Sequence, residues 1–196
     1  MKTLIGTTAL ACALVFAPTT YVVAGDTNCP PSGGGVLSGT YENVIADAGH
    51  CRLFGATVEG NLKVENLATV AIRGSTFGGN IQGDGAGWIR MNGNTIVEGD
   101  IQIKNSQTEQ RRRGNIIRGE VGGNVQLEEN NNPQDVSDTE IGGDLQLFKN
   151  NSRSLVSGNT IGGNLQCKEN MPSPTPDAVN MVGGDKEDQC KRKKGF

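Results

Sequence analysis

One histidine and one tryptophan stand among 196 residues, and aromatic side chains make up only 4% of the chain. So few large apolar groups exclude a thick two-layer core, whereas a thin core with many turns needs far fewer of them. The lone His50, next to Cys51, supports neither a Ser–His–Asp set nor a histidine metal cluster. Neither sign of charge dominates. Eighteen Lys and Arg face 21 Asp and Glu, for a formal charge of −3, which speaks against a nucleic-acid binder. The 29 glycines follow no Gly-X-Y period, so the chain is not collagen-like. Long apolar runs are confined to Leu4–Ala17, too short to span a bilayer.

That run belongs to a segment with the form of a secretory signal. Lys2 supplies the positive start, and Val22-Val23-Ala24 offers small residues for a cut ahead of Gly25. Cys12 lies inside the apolar stretch, which continues through Ala13–Ala17, so cleavage is expected rather than lipid attachment. Four cysteines remain: Cys29, Cys51, Cys167 and Cys190. An even number in an exported chain predicts disulfides, and proximity favours Cys29–Cys51 and Cys167–Cys190. Their spacing is too wide for a zinc site.

What the chain does have is one phrase, repeated seven times. It reads apolar, Gly or Glu, Gly, Asn or Asp, apolar, polar, apolar, as in Ile161-Gly162-Gly163-Asn164-Leu165-Gln166-Cys167. The shared glycines are Gly60, Gly79, Gly99, Gly123, Gly143, Gly163 and Gly184, separated by 19, 20, 24, 20, 20 and 21 residues. A period near twenty signals a repeat architecture. Apolar–polar–apolar alternation after each glycine is strand patterning. The Gly-Asn/Asp step reads as a bend, because these residues tolerate positive φ. Upstream strands recur at Val70-Ala71-Ile72, Ile89-Arg90-Met91 and Leu155-Val156, and a third stretch passes Asn66, Asn105, Asn130, Asn150 and Asn170. Together these predict an all-β fold, a right-handed parallel β-helix of about seven coils with disulfide-stapled ends. The glycine pairs exclude helical repeats.

The expected organisation is a signal over residues 1–24, an N-terminal cap over 25–55, the solenoid with its C-terminal cap over 56–190, and a disordered basic tail over 191–196. The 24-residue step carries an insertion around Asn105–Gly114 that includes Arg111, Arg112 and Arg113. In the last copy the core positions become Lys186 and Asp188, so the stack stops there.

Candidate chemistry is sparse. The Asn/Asp column, with Asp100 and Asp144, reads as a turn ladder, and the Gln column as an outward amide ladder. Gly83–Gly87 reads as a loop, since no helix follows for a phosphate site. Trp88, Arg111, Arg112 and Arg113 are the candidate surface-interaction residues, for a sugar ring or an anionic polymer. No catalytic, cofactor or metal residue is assigned, and no cofactor is expected.

Gly158-Asn159-Thr160 through Cys167-Lys168-Glu169-Asn170, the Pro-rich loop, and Gly183-Gly184-Asp185 through Cys190 resemble the ends of uncharacterised secreted bacterial β-helix repeat proteins. Gly39-Thr40-Tyr41 to Cys51 and Val58-Glu59-Gly60-Asn61 are similar to them as well. The resemblance implies a β-helix and bacterial export. It brings no activity. A weaker similarity is to bactofilins, β-helices that polymerise end to end, from which the signal and disulfides depart. The expected function is a non-enzymatic secreted or cell-surface module, structural, adhesive or binding. The alternatives are a carbohydrate-active lyase or hydrolase and a self-assembling polymer. Expected partners are cell-surface polysaccharide or protein, with no nucleic acid and no transmembrane segment.

Overall fold

The computed structural model describes residues 22–29, 35–107, 113–191 and 193–196. Every element among them is a strand or turn, and every strand pairing is parallel. The chain winds into a parallel β-solenoid of about eight turns. Successive coils stack three rows of strands, about 4.8 Å apart. The first row holds two-residue strands such as Thr57–Val58, Thr76–Phe77 and Glu140–Ile141. The second follows the bend, as Leu62–Val64, Ile81–Asp84 and Leu145–Phe148. The third contains His50–Phe54, Thr69–Arg73, Trp88–Asn92, Asn115–Ile117, Gln134–Ser137 and Ser154–Ser157.

The extra turn lies ahead of the seven repeated phrases. Thr40–Ala46 pairs in register with both Thr57–Val58 and Leu62–Val64. It runs straight through the corner where later coils break into two strands. Its sequence Tyr41-Glu42-Asn43-Val44 lacks the glycine of the phrase. Val22–Asn28 adds on outside it, with a register irregularity between Val23 and Asp26. The expected cut before Gly25 falls within this strand, while residues 1–21 of the expected signal lie outside the described residues.

Alternation along each strand puts one apolar column inside. Val58, Phe77, Val97, Val121, Ile141 and Ile161 line one wall, and Leu62, Ile81, Ile101, Val125, Leu145 and Leu165 another; all are fully buried. Identical positions stack directly, so each column forms a continuous apolar rib. Gly83 belongs to a strand rather than the expected loop. It stands in an inward column, where a Cβ would come within 2.8 Å of Ile89 Cδ1 from the third row.

The glycines of the phrase are needed for close approach, not for positive φ. None of the seven has a left-handed backbone; the left-handed corners are elsewhere, at Gly55, Gly74, Gly93, Asn105 and Glu129 among others. A Cβ at Gly79 would sit 2.6 Å from the Gly60 carbonyl oxygen and 2.7 Å from Asn61 Oδ1. The Asn or Asp of one coil therefore occupies the space beside the glycine of the next. Its Oδ1 accepts the backbone N–H that follows that glycine: Asn80 N to Asn61 at 2.9 Å, Asp100 N to Asn80 at 2.7 Å, Asp144 N to Asn124 at 2.8 Å, Asn164 N to Asp144 at 2.7 Å. The expected turn ladder is thus present, and it starts one coil earlier, at Asn43.

A second ladder is buried. Asn130, Asn150 and Asn170 stack inside, each passing Oδ1 and Nδ2 contacts to its neighbours, and Gln189 ends the series. Asn66 and Asn105, grouped with them by sequence, instead occupy left-handed corners with φ of 50° and 54°.

Both ends are stapled as the cysteine spacing predicts, by Cys29–Cys51 and Cys167–Cys190. These bonds place the folded chain in an oxidising compartment. The expected disordered tail folds back at Lys193–Phe196: Phe196 is buried, and Lys193 Nζ donates to the Pro174 carbonyl at 2.6 Å. No helix of the described residues is long and apolar enough to cross a membrane.

Candidate functional site

The three outward rows differ sharply in how they handle charge. Along the second row three ion pairs close: Lys63–Glu65 at 3.0 Å, Lys104–Asp84 at 3.2 Å and Lys149–Glu129 at 3.4 Å. Asn105 donates to Asp84 Oδ1, and that bond, with help from Lys104, holds the carboxyl below its usual range. Further along the row Gln146 Nε2 donates to Gln166 Oε1 at 2.7 Å, and Gln166 Nε2 to Glu187 Oε1 at 3.2 Å. Asp100 and Asp144, the two carboxylates singled out by sequence, are acceptors in the turn ladder. Among the described residues, no group of three or more His, Cys, Asp or Glu is arranged around a metal-sized gap.

The third row is different. Its strands His50–Phe54, Thr69–Arg73 and Trp88–Asn92 contain no carboxylate at all. Strand register stacks Arg52, Ala71 and Arg90 in one outward column and Phe54, Arg73 and Asn92 in the next. Three successive coils therefore each present one arginine, alternating between two columns. Arg118 continues the second column but is neutralised by Asp135 at 3.0 Å. Among the described residues, Arg52, Arg73, Arg90 and Arg113 form no ion pair within 4 Å.

Trp88 organises this face. Its indole is only 6% exposed. The Arg90 guanidinium lies 4.9 Å from its ring centroid and that of Arg113 6.0 Å, both in cation–π range. His50 packs against it at 5.1 Å between ring centroids. Phe54 supports Arg73 in the same way at 5.6 Å. Arg90 Nε also donates to the Gly114 carbonyl at 3.3 Å. Trp88 is thus a covered base beneath the cations, rather than an open platform. Of the other candidate surface residues, Arg111 and Arg112 lie outside the described residues, and Arg113 lies over the Trp88 ring.

The charges act on one another. Burial and then the Arg52 charge hold the His50 imidazole below its ordinary value. Burial, then Arg113, lowers Arg90, which stays charged at neutral pH. Thr69 Oγ1 donates to the Gly49 carbonyl at 3.1 Å, so it accepts from His50 Nδ1–H at 2.9 Å. That fixes the neutral tautomer.

The site sits where the repeat is interrupted. The insertion takes the chain away before Gly114, and pairing of Trp88–Asn92 with the next coil begins only at Arg90. Ile89 N–H would lose its ladder partner, and the Asn115 side chain supplies one at 2.8 Å. Asn115 belongs to a buried network with Ser106, Asn132 and Gln134, in which Asn132 Nδ2 reaches the Gly87 carbonyl at 2.9 Å. Sequence reasoning singled out Trp88 and Arg113 but missed Arg52, Arg73 and Arg90. The signal was there: each alternates with inward residues on an upstream strand. No family model, curated protein or solved structure matches the chain.

Proposed function

We propose that this is an exported, non-enzymatic β-solenoid that serves outside the cytoplasm as a binding or adhesive module, related to the secreted bacterial β-helix proteins its terminal motifs resemble. The observation that carries the reading is the fixed geometry of the outward rows. Side-chain ladders tie each coil to the next, and a disulfide closes each end. Groups on such a rod are ordered before any ligand arrives, so little entropy is lost on binding. The end-to-end polymer is the weaker alternative, because the last strand, Lys186–Asp188, presents a charged edge.

The test is a retention assay with the oxidised, signal-free protein on neutral and acidic polysaccharides and on bacterial cell-wall particles, with reducing ends measured in parallel. Retention without new reducing ends supports a binding module. Release of reducing ends overturns it in favour of the lyase or hydrolase alternative. Absence of retention on every surface also overturns it.

A further inference from the structure

Resting on that reading, we propose that Arg52, Arg73, Arg90 and Arg113 form a binding strip for a linear acidic polysaccharide lying along the solenoid axis. Three features lead to it. First, among the described residues these four cations form no ion pair, while three ion pairs are closed along the neighbouring second row. Uncompensated arginines close enough to disturb one another's protonation are relieved by an external anion. Second, the guanidinium forks of Arg73, Arg90 and Arg113 are pre-positioned by Phe54, Trp88 and the Gly114 carbonyl. Arginine held this way binds carboxylate or sulfate through two parallel hydrogen bonds.

Third, the spacing is that of a chain. One arginine per coil gives a rise of about 4.8 Å per cation, comparable to the length of one sugar ring. Arg52 and Arg90 share a column two coils apart, so they match anionic groups on alternate units. The strip is one strand wide and ends where Asp135 neutralises Arg118. Glu59 and Glu98 stand exposed at the ends of the first-row strands Thr57–Val58 and Ile96–Val97 beside the strip. A narrow cationic line between such rows admits a single chain with spaced charges. It repels a broad, densely charged duplex. Trp88 is covered, so there is no open stacking surface of the sort single-stranded nucleic acid uses.

The experiment measures binding of the oxidised, signal-free protein to immobilised alginate, dextran sulfate, neutral dextran and single-stranded DNA across a salt series. The comparison is with the triple variant Arg52→Gln, Arg73→Gln, Arg90→Gln. These side chains are surface-borne and leave the ladders intact; an unchanged melting temperature confirms the fold. Binding to alginate or dextran sulfate, weakened at least tenfold in the variant and with a shallower salt dependence, supports the strip. The two acidic polymers tell carboxylate from sulfate preference. A control variant, Lys149→Gln with Lys168→Gln on the second row, is expected to bind as the parent does.

Equal affinity of parent and triple variant overturns the strip while leaving the binding-module reading in place. So does retention on neutral dextran alone. Tighter binding to DNA than to either acidic polysaccharide overturns it in favour of a nucleic-acid surface. Failure to bind any of these polymers overturns the strip, and the cell-wall assay then decides the broader reading separately.

Discussion

Replacing Asn150 by Asp changes one atom of the buried ladder, and its cost follows from the bonds that atom makes. Asn150 Nδ2 donates to the Leu127 carbonyl at 2.8 Å and to Asn170 Oδ1 at 2.9 Å. Its Oδ1 accepts from Asn130 N at 3.1 Å and Asn130 Nδ2 at 3.0 Å. Asn150→Asp keeps the acceptor side and sets an oxygen against two oxygens on the other. Two bonds worth about 1 kcal/mol each are lost, and a buried acceptor is left unsatisfied at about 1–3 kcal/mol. The total is about 3–5 kcal/mol, a large part of the ~5–15 kcal/mol typical of a domain. In the outer ladder the same chemistry is harmless. Asp144 only accepts, from Asn164 N, so Asp144→Asn is expected to stay within about 0.5 kcal/mol of the parent.

The sign of the pH dependence separates this account from a packing defect. A carboxyl at position 150 faces acceptors in a dry interior, so its folded pKa lies above the unfolded value of about 3.9. The penalty is complete above the folded pKa and is relieved as pH falls through it, because the acid form regains one donor. Urea unfolding with disulfides intact, at neutral and mildly acidic pH, measures the difference. Protection of the Asn130 amide against hydrogen exchange reports it locally if the stack unfolds in stages. An Asn150→Asp protein as stable as the parent at neutral pH would refute the reasoning. So would a deficit that does not shrink on acidification.

Gly79→Ala is expected to destabilise by at least about 1–3 kcal/mol, because its Cβ meets a carbonyl and a carboxamide of the previous coil. Gly85→Ala has open space around it but a φ of +66°, so thermal melts should show the smaller loss of about 1–2 kcal/mol. Removing Cys167–Cys190 by paired substitution to Ala reopens a loop with a sequence separation of 23. The expected loss is about 3 kcal/mol, with exchange protection falling first in residues 181–190. His50 has a lowered pKa, so its unfolded state binds a proton more readily than the folded one. Stability should therefore fall as pH drops from the unfolded value of about 6.5 toward the folded pKa. His50→Gln should lack that component in a pH series of melts.

Much of the fold was legible because stacking writes itself into columns. Position-by-position alternation gave the strands, and the near-constant step gave the coil. Two things were hidden for physical reasons. The first coil was missed because it needs no glycine: Thr40–Ala46 runs unbroken past the corner, so the phrase that marks later coils is absent. The two asparagine groups were merged because a left-handed corner and a buried ladder both favour Asn. Only hydrogen bonding separates Asn105, with its exposed bond to Asp84, from Asn130. The outer column mixes Asn and Asp since both supply an acceptor, whereas Asn130, Asn150 and Asn170 must also donate to the backbone carbonyls of Ile103, Leu127 and Leu147.

The arginine strip was hidden for a different reason. A repeat advertises what recurs at one position, and these arginines alternate between two. Arg52 and Arg90 occupy one column, Arg73 the other, with Ala71 and Asn92 between them. Strand register gathers those three, and the break in periodicity after Gln107 adds Arg113. By leaving Ile89 without its ladder partner, the insertion draws Asn115 inward. By returning at Arg113, it lays a second guanidinium over Trp88. The Asn115 contact behind the strip and the Arg113 contact with Trp88 thus come from the same interruption. Shortening the loop to a regular twenty-residue coil would remove both contacts together, whereas Arg113→Gln removes only the second.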